Sequence, residues 1–174
     1  MDPAPGAPVS PPSSPPPIGR SAPVAAAPVP LGPGSVRLIR HGRLPLGLLF
    51  QLEQLQQLFD AHSFWAQKRT RGALMRMLLG SATVVSAWRN GRLVGIGRAT
   101  SDGVFRAVLW DVVVAAELQG QGLGRRIVQA LLSSPAVSAA ERVYLMTTNS
   151  SGFYARLGFT EHHGQRLLVL YRRR

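Results

Sequence analysis

From Glu117 to Arg126 the chain reads Glu-Leu-Gln-Gly-Gln-Gly-Leu-Gly-Arg-Arg. Glycine lets a backbone turn tightly and lets a ligand come close to the peptide groups. Where such a turn opens a helix, the first free N–H groups and the positive end of the helix dipole face it. They make an anion site, to which Arg125 and Arg126 add charge. A pyrophosphate suits that arrangement, held by Gln119, Gly120, Gln121, Gly122, Leu123, Gly124 and Arg125. The spacing excludes two common phosphate motifs. A dinucleotide fingerprint requires a third glycine where Arg125 stands, and a nucleoside-triphosphate loop requires Lys followed by Ser or Thr where Arg125 and Arg126 stand.

Proton transfer needs a different kind of residue. Asp111 is a carboxylate in the otherwise apolar run Val108-Leu109-Trp110-Asp111-Val112-Val113-Val114. Desolvation makes a carboxylate a better base, so Asp111 is a candidate general base; the competing role is to pin a neighbouring loop. Glu53, His41 and His62 are weaker candidates. His162-His163 reads as a surface pair, because adjacent side chains share neither a helix face nor a strand face for a metal. The sequence contains no cysteine, which excludes disulfides, zinc-thiolate sites and cysteine nucleophiles. No metal site is expected.

These residues must be positioned by elements that the hydrophobic pattern makes readable. Ser35 to Arg40 alternates as a half-buried strand, and two amphipathic helices follow, one through Leu48, Leu52, Leu55 and Phe59, the other from Phe64 to Leu79. Ala82–Arg89 and Arg92–Thr100 flank Asn90-Gly91, a pair suited to a type I′ hairpin turn. Ser101-Asp102-Gly103 supplies a second turn before a long central strand, Phe105 to Ala115, whose apolar end predicts cover on both faces. A helix from Gly122 carries the stripe Leu123, Ile127, Val128, Leu131 and Leu132, with Pro135 helping to end it. Then come a strand over Arg142–Thr148, a short helix over Ser150–Leu157 closed by Gly158, and a final strand over Gln165–Tyr171. The order predicts a mixed α/β sandwich, an antiparallel sheet joined to one parallel crossover.

Gln119-x-x-Gly122-x-Gly124 matches the Gln/Arg-x-x-Gly-x-Gly/Ala signature of the GNAT acetyltransferase superfamily. Gly152-Phe153-Tyr154-Ala155-Arg156-Leu157-Gly158-Phe159 is similar to that family's Phe-Tyr-x-x-Leu-Gly-Phe, in the family's order and at its distance. The resemblance covers the chain from Val36 to Tyr171. Within the superfamily, Ala99-Thr100-Ser101-Asp102, Trp110-Asp111-Val112 and the glycine loop resemble a cyanobacterial and plastid branch. Plant members of that branch are described as serotonin N-acetyltransferases and as lysine or N-terminal protein acetylases.

The resemblance implies a central, mostly antiparallel sheet with a parallel, splayed strand pair, flanked by about four helices. It implies acetyl-CoA as donor, with the pantetheine arm along Val112, Val113 and Val114, where a backbone N–H stabilises the oxyanion. Tyr154 matches the tyrosine that protonates the departing thiolate, a role open to a phenol because its ordinary pKa of about 10 keeps it protonated at neutral pH. One position departs from the family. The residue seven places before that tyrosine, often Asn, is Thr147, so Thr147, Thr148 or Asn149 would supply its hydrogen bond; Asn149 equally suits a helix cap. The implied acceptor is a primary amine, either a small arylalkylamine such as serotonin or a protein amine.

Composition bounds the partners. The net charge of +12 comes from nineteen arginines and Lys68 against eight acidic residues, a field that attracts phosphates and repels polyamines. The basic residues are scattered rather than gathered in one stripe, so a nucleic-acid partner is not expected. Residues 1–34 hold 12 of the 14 prolines and only two charged residues, Asp2 and Arg20. Such a segment cannot build ladders and reads as a disordered or polyproline-like extension, leaving 35–174 as one domain. No apolar run approaches the roughly 18 residues of a membrane span, and the N-terminus lacks a secretory signal's basic flank and apolar stretch. The expected location is the cytoplasm, with a plastid as the alternative, no membrane partner, and a homodimer left open.

Overall fold

The computed structural model describes residues 34–172. The extension expected over residues 1–34 lies, but for Gly34, outside the described residues. The apolar runs become five strands in one sheet, β1 (Arg37–His41), β2 (Thr83–Arg89), β3 (Arg92–Ser101), β4 (Arg106–Val114) and β5 (Arg142–Tyr144), in that spatial order. All neighbours are antiparallel except β4 and β5. The β2–β3 hairpin turns at Asn90 (φ 50°) and Gly91 (φ 74°), both left-handed as a type I′ turn requires. Before β4, the Asp102 carboxylate accepts the N–H groups of Val104, Phe105 and Arg106 at 2.8–3.0 Å. Those bonds hold its carboxyl below the usual carboxylate range.

Among the described residues six α-helices accompany the sheet, α1 (Leu46–Leu49), α2 (Leu52–His62), α3 (Arg71–Leu79), α4 (Leu123–Leu132), α5 (Pro135–Ser138) and α6 (Ser151–Ala155), against about four expected. The extra pieces are single turns. The first predicted helix breaks into α1 and α2 around Phe50 and Gln51, and Pro135 opens α5 as well as closing the stretch after α4. Helix α4 buries Leu123, Ile127, Val128 and Leu131, each worth about 1.5–3 kcal/mol over exposure. It lies flush on β3 because Gly95 and Gly97 leave room. A Cβ on Gly97 would stand 2.7 Å from Ile127 and 3.0 Å from Leu131.

Three expected elements come out differently. The second helix starts at Arg71 rather than Phe64, because the Thr70 hydroxyl caps it by accepting from Ala73 N–H at 3.2 Å. Upstream, Lys68 (φ 60°) donates its N–H to Asp60 at 2.7 Å, which commits residues 63–70 to a loop. The strand expected over Arg142–Thr148 pairs only through Tyr144. The strand expected over Gln165–Tyr171 is not formed; Leu167, Leu168, Val169, Leu170 and Tyr171 are exposed, Leu168 by 88%. Their pattern favours extended backbone, but a strand exists only where a ladder partner stands beside it.

Candidate functional site

β4 leads into the glycine loop through one 3-10 turn, Ala116–Leu118. Gly120 (φ 72°) and Gly122 (φ 80°) are left-handed, a conformation that costs a residue with a Cβ about 1–2 kcal/mol. Gly122 caps α4 with no side-chain bond, so the N–H groups of Leu123, Gly124 and Arg125 have no acceptor within the helix. Nothing lies within 4 Å of where a Cβ on Gly120 or Gly122 would sit, so the loop is open on its outer side. Its shape is pinned locally: the Gln119 amide donates to the Val114 carbonyl at 3.0 Å and the Gln121 amide to the Glu117 carbonyl at 2.9 Å. Arg125 is exposed at the helix start, whereas Arg126 turns to the residue just ahead of β1 and donates to the Val36 carbonyl at 3.0 Å.

The strand feeding this loop is half free. β4 and β5 pair only as Arg106 with Arg142, Ala107 with Val143 and Val108 with Tyr144. From Leu109 to Val114 the β5 side of β4 has no strand partner, so alternate peptide groups there face a gap. Helix α6 comes to the same corner. The Phe153 ring stands 3.4 Å, and the Val114 side chain 3.8 Å, from the Cβ position of Gly124. Tyr154 packs edge-on against Phe153 and Phe159, with ring centroids 4.8 and 5.8 Å apart. Burial pushes its phenol above the ordinary value, so it keeps its proton at neutral pH. Thr147 and Asn149 serve the turn into α6: the Thr147 hydroxyl accepts the Ser150 N–H at 3.1 Å and the Asn149 side-chain Oδ1 accepts the Ser150 hydroxyl at 3.2 Å.

Asp111 sits at a bulge. Ile96 faces Val113 and Arg98 faces Trp110, so Gly97 opposes both Asp111 and Val112. Asp111 takes the left-handed conformation (φ 51°) that the bulge requires. Its side chain is 6% exposed, but its surroundings are not the apolar ones expected from the strand sequence. Oδ2 accepts from Arg98 Nε at 2.6 Å and Oδ1 from Arg69 Nη1 at 3.2 Å. Neither arginine was among the candidates. Arg98 was legible as a charge inside the buried run of β3, whereas Arg69, in the α2–α3 loop, carries no local signal. Glu53 pairs with Arg71 at 3.3 Å, and His41 shares the Ser86 hydroxyl with Trp88. Among the described residues no three His, Asp or Glu side chains gather as a metal would need.

The model of the acetyltransferase (GNAT) family matches residues 51–159, well over half of the chain. The chain belongs to the GNAT acetyltransferase family. It is 32% identical over 112 residues to an uncharacterized N-acetyltransferase ycf52 of Pyropia yezoensis, covering 62% of this chain and 64% of that one. It is 43% identical over 70 residues to a chloroplastic serotonin N-acetyltransferase 2 of Oryza sativa subsp. japonica, covering 40% of this chain and 35% of the relative. The matched stretches thus span less than two thirds of these relatives. A crystal structure of a putative GNAT-family acetyltransferase from Xanthomonas campestris superposes with a TM-score of 0.66 at 26% identity, over 80% of this chain and 95% of that one.

As a GNAT chain it places the donor-side candidates on three adjoining pieces: the loop at the start of α4, the unpaired edge of β4, and α6. The unbonded amides of the α4 first turn, the open glycines and Arg125 fit a pyrophosphate.

Proposed function

We propose that this protein is an N-acetyltransferase that moves an acetyl group from acetyl-CoA to a primary amine by direct attack, with a small arylalkylamine such as serotonin as acceptor. The carrying observation is the open glycine loop beside the unpaired stretch of β4, with the Phe153 ring of α6 reaching the corner of Gly124 and Val114 and the half-buried phenol of Tyr154 packed against that ring. When bound, acetyl-CoA supplies an activated thioester carbonyl. Gln119 to Arg125 hold its pyrophosphate, and the peptide groups of Val112, Val113 and Val114 hold the pantetheine arm and stabilise the oxyanion. Tyr154 gives its proton to the leaving sulfur. The amine's proton leaves through water, a route favoured by the engagement of both Asp111 oxygens with guanidiniums.

The rice relative's activity supports the arylalkylamine acceptor, and its chloroplastic location supports a plastid beside the cytoplasm. No helix among the described residues is long and apolar enough to cross a membrane. The test is release of free CoA from acetyl-CoA by the purified protein, with serotonin, tryptamine, spermidine and lysine peptides supplied separately. Release with serotonin or tryptamine is expected. Release with lysine peptides alone would move the acceptor to protein amines, and acetyl-CoA binding without release under any acceptor would leave a silent binding module.

A further inference from the structure

Beyond Val108 the fourth strand loses its β5 partner, so only β3 holds Leu109–Val114 by a ladder. On that stretch two residues face one, and the first of them, Asp111, has a φ of 51°. Glycine would meet that backbone requirement without burying a charge. Instead a carboxylate stands there, 6% exposed, spanned between Arg98 on β3 and Arg69 ahead of α3. Both arginines are themselves braced. Arg98 lies 5.6 Å over the Trp110 ring, whose indole N–H donates to the Thr100 hydroxyl at 2.8 Å. Arg69 lies 5.3 Å over the Phe59 ring, and its carbonyl accepts from the Gln56 amide at 2.9 Å. The carboxylate therefore ties β4 to β3 and to the α2–α3 loop, one residue before the peptide groups that face the unpaired gap.

We propose that Asp111 is a positioning residue whose two-arginine clasp fixes the β4 bulge, and with it the direction of the Val112–Val114 peptide groups. This rests on the acetyl-transfer function proposed above. A ladder on both sides would set those peptide groups by itself; with one side open, the clasp supplies the missing constraint. A base would need an oxygen turned toward the acceptor, and each oxygen of this carboxylate faces a guanidinium.

Asparagine tolerates left-handed backbone and still accepts from one guanidinium, whereas valine does neither. Asp111→Asn is expected to keep kcat within about tenfold of the parent, with the shape of its pH profile retained, where loss of a general base costs about 10²–10⁴-fold. Asp111→Val is expected to lower kcat about a hundredfold, the scale of a misplaced oxyanion donor, with little change in the acceptor KM. Because Asp111→Val threatens folding, Arg98→Met tests the same clasp from its other end. Amide hydrogen exchange of the protein alone needs no turnover: the Val112–Val114 amides should exchange about tenfold faster in Arg98→Met than in the parent. An Asp111→Asn variant as slow as Asp111→Val, with the acidic limb of its profile gone, would overturn the proposal in favour of a base. Unchanged exchange in Arg98→Met would overturn it in favour of a bulge that needs no clasp. If the parent acetylates no amine, the proposed function fails, while the exchange experiment still decides what holds the bulge.

Discussion

The left-handed backbone of the glycine loop, at Gly120 and Gly122, and that of β4, at Asp111, are held by opposite means. In the loop the residue type removes the steric cost, the surroundings are solvent, and the pins come from Val114 and Glu117, within five positions. At the bulge a residue with a Cβ takes the strained conformation in the interior, and its partners lie 13 and 42 positions away. On the proposed function, the surface that admits a phosphate is shaped locally and left open, and the peptide direction on a strand with one free side is tied to the rest of the core.

The sharpest way to break the contrast is Asp111→Ala. Removing the carboxylate leaves two partly buried guanidiniums without their counter-charge, and a loss of about 3 kcal/mol is expected in urea unfolding, the low end for a buried pair because Arg69 is 31% exposed. A loss under about 0.5 kcal/mol would mean that the bulge is as self-sufficient as the loop. Tyr154→Phe tests the phenol of α6: kcat should fall about a hundredfold while acetyl-CoA affinity in calorimetry is unchanged. Since burial raises the Tyr154 pKa, alkaline loss of kcat from this group is expected at higher pH than for an exposed phenol. Gly122→Val challenges the local side of the contrast. Strain of about 1–2 kcal/mol and crowding of the phosphate path should weaken acetyl-CoA binding at least about tenfold. Undiminished affinity would move the pyrophosphate off this loop.

The smallest effect expected comes from His41, another polar contact made across elements. The Trp88 indole N–H donates to the Ser86 hydroxyl, which also shares a hydrogen bond with His41 Nε2, both at 2.8 Å, and burial lowers the His41 pKa from 6.5. The folded state then binds the proton less readily than the unfolded chain. Stability is full above about pH 6.5 and declines as pH falls through the folded value. Urea midpoints should drop between pH 7.5 and pH 5, and less so in His41→Gln; an equal drop in both would assign the dependence to other groups.

The glycine loop, the Asn90-Gly91 turn, the apolar stripe of α4 and the Phe153-Tyr154 motif were legible because each depends on residues within a few positions. Glycine's freedom at φ near 80°, helical periodicity and turn chemistry need no knowledge of what packs against them. α3 starts at Arg71 rather than Phe64 because the Thr70 cap and the bond from the Lys68 N–H to Asp60 outweigh an apolar pattern that runs on to Phe64. Gln165–Tyr171 kept its strand pattern and found no ladder.

By itself, the sequence determined the family's motifs, the order of the longer elements from β1 to α6 and the open glycine loop, all consequences of local backbone preference and of which faces are apolar. Only the tertiary structure decided that Arg69 and Arg98 close on Asp111. Pairing between charges so far apart in sequence depends on which elements become neighbours, and the low-dielectric interior in which that pairing matters exists only once the sheet and helices have packed.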